Sequence, residues 1–161
     1  MAKKILLLSE QQLKQQSIVE GNVDPKVISK SILNVQEIHL KGILGGSLYD
    51  VVLTDVESKI QNSGHTMTYG TLLNDYIQPY LLHETVVDLL IALQFKISNK
   101  GVMKSQDNSA TSVSADELEY AVKHFKNYTI TYKDALKKYL SDNNLVNSCE
   151  SSTTDSIGWY L

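Results

Sequence analysis

The chain of 161 residues predicts an all-α fold: a small bundle of about four main helices with an extended loop at about 99–113 and an extended C-terminal arm. Three observations carry this. Asp24-Pro25 is a helix start that leads into apolar residues at helical spacing. The stretch from Tyr69 to Ile97 is apolar on several faces, as a central helix of a bundle is. After Ser114, apolar residues recur at alternating spacings of four and three over about three heptad-like repeats.

Length bounds the chain to one domain, divided here into a helical body, 1–142, and a tail, 143–161. A chain of this size buries about 68–70% of its unfolded surface, so it needs no disulfide or metal staple. Net charge is −3, which argues against broad, sequence-independent nucleic-acid binding, because that requires clustered Lys and Arg. The single Cys149 has no internal bridging partner and fits a reducing compartment. No stretch has the length and apolarity of a membrane span. Met1 to Leu8 opens like a signal peptide, but its apolar run is short and Ser9-Glu10-Gln11-Gln12 follows without a small-residue cleavage site. The chain reads as cytosolic in origin.

Taken in order, residues 1–23 form an arm and a short helix. Ile5 to Leu8 is an apolar run suited to a strand or an extended arm. Ser9 with Gln12 matches a capping box, predicting a helix through Gln16, and Gly21-Asn22 breaks it. Asp24 as N-cap and Pro25 at the first helical position start the next helix, with Ile28, Ile32, Val35 and Ile38 on one face. Gly45-Gly46 ends it. Leu48, Val51 or Val52, Asp55-Val56 and Ile60 predict a second amphipathic helix to about Gln61, and Tyr49 is expected at least half buried. Asn62-Ser63-Gly64 is a loop. The third helix is predicted from Tyr69 to Ile97, with a kink or break at Pro79. Asn99-Lys100-Gly101 punctuates its end, and 102–113 reads as a loop or loose hairpin. Ser114 with Glu117 is another capping box. The helix behind it carries the seam Leu118, Val122, Phe125, Thr129, Tyr132, Leu136 and Tyr139.

Chemical equipment is sparse. The four His residues, His39, His65, His83 and His124, share no metal-ligand spacing, so no metal site is predicted. No phosphate loop, nucleophile elbow or paired-Cys motif occurs, and Gly42 to Gly46 reads as a corner between helices. No catalytic residue and no cofactor is assigned. Asp50, Asp55 and Glu57 cluster on the second helix, and Asp75, Glu84 and Asp88 lie on the third. These are expected to be solvated faces, with a paired-carboxylate site as the competing reading. Glu84 and Asp88, four apart, put like charges on one face. Nine Tyr against two Phe suits half-buried positions and protein interfaces.

The tail carries the strongest functional signal. From Asn143 it is Ser/Asn/Thr-rich, has no Lys or Arg, and holds the only Trp of the chain. Trp and Tyr dominate the energetics of many interfaces, so Ile157, Trp159, Tyr160 and Leu161 are candidate interface residues.

Two blocks of sequence carry a family resemblance. One runs from Gln36-Glu-Ile-His-Leu-Lys-Gly-Ile-Leu-Gly-Gly-Ser-Leu to Tyr49-Asp-Val-Val. The other runs from Tyr69-Gly-Thr-Leu-Leu-Asn-Asp-Tyr-Ile-Gln-Pro-Tyr to Leu81. With Asn99-Lys100-Gly101-Val102 and the Ser114-capped helix ending in Ala135 to Leu140, the pattern resembles the head–tail connector, or adaptor, proteins of tailed bacteriophages. It is most similar to those of crAss-like phages, over about Ser9 to Leu140.

The resemblance implies a small α-helical, non-enzymatic structural protein of the virion neck, assembled in the host cytoplasm. Its partners would be further copies of itself in a ring of about twelve, the portal protein above and the next tail or neck protein below. Genomic DNA would pass through the ring without specific binding, and no membrane is involved. Loops and arms of the family reach neighbours, which places Val102 and Met103 of the 99–113 loop beside the tail as interface candidates. Two other readings compete: a soluble binding or regulatory module forming a small oligomer through the Leu118–Tyr139 seam, and an enzyme using carboxylates such as Asp55, Asp75 and Asp88.

Overall fold

Ser9 accepts the amide of Gln12 at 3.1 Å while the Gln12 side chain accepts the amide of Ser9, and this reciprocal cap starts helix α1, Glu10–Gln16. The computed structural model describes residues 5–98, 101–104 and 114–145, with 95–98 and 101–104 described by their backbone. Ile157, Trp159, Tyr160 and Leu161 lie outside the described residues, as does most of the predicted tail. Val102 and Met103 fall in a strand whose side chains are not described.

Helix α2 spans 25–44. Asp24 caps it by accepting the Lys26 amide, and Pro25 occupies its first turn. It is α-helical over Pro25–Asn34, π-helical over Val35–Leu40, and α-helical again over Lys41–Leu44. The π segment changes which residues face inward. Ile28, Ile32 and Val35 are buried as their spacing predicts, but Ile38 is 69% exposed, against the expectation. In a π turn the hydrogen bond spans five residues, so Leu40, five after Val35, takes the inward position instead.

Gly45 alone separates α2 from helix α3, Gly46–Gln61. Its φ of 75° is the reason for glycine there. Leu48, Tyr49, Val52 and Val56 turn inward, and Val51 and Ile60 turn outward. Tyr49 is 1% exposed, as expected, and lies against α2 through Gln36, Glu37 and Lys41.

Helix α4 spans 72–92, π-helical over Leu72–Ile77 and α-helical over Gln78–Ala92. The chain does not break at Pro79. The wider π turns directly before it accommodate a residue that has no amide to donate and whose ring crowds the preceding turn. Tyr80, Leu81, Val86 and Leu89 are buried on different sides of α4, which makes it the central helix.

The third helix ends at Ala92, short of the predicted Ile97. Phe95–Ser98 (β1) instead pairs antiparallel with Gly101–Lys104 (β2), with Phe95 opposite Lys104 and Ile97 opposite Val102. The alternation Phe95, Ile97 is a strand pattern that the apolar helix before it obscures. Residues 101–104 of the predicted loop are therefore strand.

Helix α5, Ala115–Asp142, starts at the predicted Ser114–Glu117 capping box. It ends in a Schellman motif: Asn144 takes a left-handed φ of 52°, its amide bonds Ser141 O, and the Leu145 amide bonds Leu140 O at 2.9 Å. The predicted seam faces α4. Leu136 and Thr129 are buried, Tyr139 lies 4.2 Å from Tyr76 between ring centroids, and Tyr132 stacks on His83 at 4.7 Å. Residue numbers rise on one helix as they fall on the other, so the two are antiparallel. Thr129, Leu136 and Tyr139 are thus spent inside the subunit, while Tyr132 is 36% exposed and Leu118, Val122 and Phe125 are half-buried. The body is an all-α bundle with one short hairpin appended.

Candidate functional site

A shallow cleft of about 340 Å³ opens beside α3, between its outer face and the 62–69 loop. Asp55 sits at its floor. This position falls on the inward stripe of α3, next to Val52 and Val56, so the carboxylate is nearly buried and must be satisfied there. The loop supplies both partners. His65 Nε2 lies 2.8 Å from Oδ1, and the Tyr69 amide donates to Oδ2 at 2.8 Å. Burial alone would push the Asp55 carboxyl up. The Tyr69 and Thr68 amides and the His65 ring outweigh it and hold the group below the usual carboxylate range. An ionised Asp55 can only accept, so Nε2 of His65 carries the proton between them.

Lys59 closes the same corner from outside, donating to Ser63 O at 2.6 Å and His65 O at 2.8 Å. Asp55 is thus committed to pinning a loop. The open rim of the cleft consists of Asp50, Val51, Thr54 and Ser58.

The three carboxylates of the enzyme reading are not brought together. Asp55 is in the cleft, Asp75 is exposed on α4, and Asp88 is half-buried on α4 outside the cleft lining. Glu84, one of the like-charged pair with Asp88, meets His39 Nδ1 at 2.8 Å, which joins α4 to α2. Among the described residues, no group of three or more His, Cys, Asp or Glu is arranged to hold a metal ion. Among them, no helix is long and apolar enough to cross a membrane.

A second constellation was not visible in the sequence. Gln36, in the first π segment, is buried and binds the backbone of the N-terminal arm on both sides of its amide. Its Oε1 accepts from the Leu7 amide, and its Nε2 donates to Ile5 O and to Tyr49 Oη, each at 2.9 Å. Tyr49 Oη in turn donates to Glu37 at 3.0 Å. Burial, with the charges of Glu37 and Asp50 added, pushes the Tyr49 hydroxyl up to about 12 although the Gln36 bond opposes this. Gln78, directly after the second π segment, donates to Leu7 O at 3.0 Å. Two side-chain amides on two helices therefore hold the arm, which bends at the buried Leu7 and Leu8. The available signal was polarity: Gln36 stands beside Val35 on an otherwise apolar face.

With the geometry in view, comparison with known proteins gives one match. Residues 40–156 match a family of unknown function, DUF6712. The chain belongs to the DUF6712 family. The match to DUF6712 includes α3 with its cleft, α4, the hairpin and α5. The arm, α1 and Gln36 precede it. No curated protein and no solved structure matches the chain.

Proposed function

We propose that this member of DUF6712 is a non-enzymatic virion component, a head–tail connector subunit that assembles as a ring under the portal and joins it to the tail around the DNA channel. One observation carries the reading: the two sequence blocks that resemble phage connectors, Gln36 to Val52 and Tyr69 to Leu81. These blocks contain the second π segment and all but the first residue of the other, the Gly45 corner and both arm-binding glutamines.

Further support comes from what the body leaves uncovered. Ile38, Ile60, Tyr120 and Ile130 are large apolar side chains exposed on three different helices. A ring subunit needs two unlike, mutually complementary faces, because a head-to-tail contact that closes makes a ring. The Trp159-Tyr160-Leu161 tip is a tethered anchor for a neighbour or the portal. The protein acts in the neck of the virion after assembly in the host cytoplasm, and DNA crosses the ring without sequence-specific contact.

Light scattering on the purified protein, alone and with portal protein, tests this. A mass corresponding to a closed oligomer, or co-migration with portal, is expected. A monomer that never binds portal contradicts it.

A further inference from the structure

One side of α5 carries a stripe at alternating spacings of three and four: Lys123, Lys126, Ile130, Lys133 and Lys137, all exposed but the half-buried Lys133. Ile130, at its centre, is 54% exposed. Among the described residues, only Lys123 of these lysines has an ion-pair partner, Glu119, on its own helix. Asp134 at the edge lowers the charge of the stripe by one without interrupting the row. Lys133 stands where the row borders the Thr129–Leu136 side that packs on α4.

The opposite character appears on α3. Asp50 and Glu57 stand exposed on its outer face, with Thr54 between them and Val51, 47% exposed, at the rim of the Asp55 cleft. The spacings match. Asp50 and Glu57 are seven residues apart, as are Lys126 and Lys133. Seven residues are two helical turns, about 10.5 Å along either axis. A helix laid on α3 so that one lysine meets each carboxylate places Ile130 opposite Leu53 or Thr54, beside the cleft rim that Val51 and Thr54 form. The two faces lie on different helices of the body, with α3 joined to α2 and α5 packed on α4.

We infer that the Lys126–Ile130–Lys133 stripe of α5 docks on the Asp50–Val51–Glu57 face of α3 in a second copy of this chain, so that each subunit offers one face to each neighbour. This deepens the ring reading and rests on it, because it names the two unlike faces a head-to-tail ring requires. Charge complementarity sets the register, while Ile130 and the cleft rim supply the apolar contact. Asp50, Glu57 and Lys126 are exposed and Lys133 is half-buried at the border of the packed side, so the helix content of each variant is the control for an intact body.

The test is a charge swap read by sedimentation at low ionic strength, where such pairs are least screened. One variant carries Lys126→Glu and Lys133→Glu, and the other carries Asp50→Lys and Glu57→Lys. Circular dichroism checks that both keep the wild-type helix content. Each variant alone is expected to weaken self-association, by itself or on the portal, by about tenfold or more. An equimolar mixture is expected to recover it, since alternating copies restore every opposite-charge contact. Assembly that ignores both reversals, or that fails to recover on mixing, overturns this inference and leaves the ring reading standing. Loss of retention on duplex DNA in the lysine variant with assembly unchanged overturns it too and assigns the stripe to nucleic acid. A wild-type chain that stays monomeric with and without portal overturns both.

Discussion

Gln36 and Leu7, twenty-nine positions apart, are joined by a buried hydrogen bond of 2.9 Å from the Leu7 amide to the glutamine side chain. The same amide group reaches Ile5 O and Tyr49 Oη. A side chain thus supplies backbone hydrogen-bond partners to the arm on both sides of its amide. Removing that side chain leaves the buried Leu7 amide and the partly buried Ile5 carbonyl without these partners, at about 1–3 kcal/mol for a fully buried group. Gln36→Ala is therefore expected to lower stability by about 2–4 kcal/mol, read from urea unfolding, and to speed proteolysis in the first residues.

Asp55 links stability to pH. Its carboxyl is held below the usual range in the folded chain. A depressed group contributes stability that is complete above its unfolded value, about 3.9, and is lost as pH falls through the lower folded value. Asp55→Asn is expected to destabilise at neutral pH, where it loses the carboxylate that accepts from His65 and the Tyr69 amide, and the gap from wild type is expected to narrow below about pH 4. Unfolding midpoints at the two pH values read this directly. A constant gap would mean that the carboxylate charge contributes nothing.

Thr85 is fully buried in α4, and its hydroxyl is the one buried side-chain polar atom among the described residues without a hydrogen-bond partner. Thr85→Val keeps the shape and removes the unmet group. The expected result is an unchanged or higher melting temperature, by about 0–2 kcal/mol in stability. A clear loss would reveal a bond to the hydroxyl.

The tail provides its own reporter, because Trp159 is the only tryptophan. Deleting Ile157–Leu161 is expected to leave helix content intact and to weaken assembly. In the intact protein, indole emission is expected to shift to the blue on oligomerisation. A fall in monomer stability on deletion would place these residues in their own subunit's core.

Much of the fold was legible because local chemistry sets helix starts. Ser9 with Gln12, Asp24 with Pro25 and Ser114 with Glu117 each act within four residues, and each cap forms as its residues imply. What escaped was set by longer-range packing. A π turn leaves no local signature at Val35–Leu40, so Ile38 was assigned inward when Leu40 holds that place. Phe95 and Ile97 extend an apolar helix in sequence, yet pairing with β2 decides their state. At the cleft, the expectation that Asp55 lies on a solvated face with Asp50 and Glu57 fails: it is buried on the inward stripe, and only the loop's path brings His65 to it.

Electron microscopy of the full chain, alone and with portal protein, tests the central claim most directly. The account predicts closed rings, or copies seated in register on the portal, joined by contacts between unlike faces of successive subunits. Isolated single subunits at every concentration, with no density added to the portal, would contradict it.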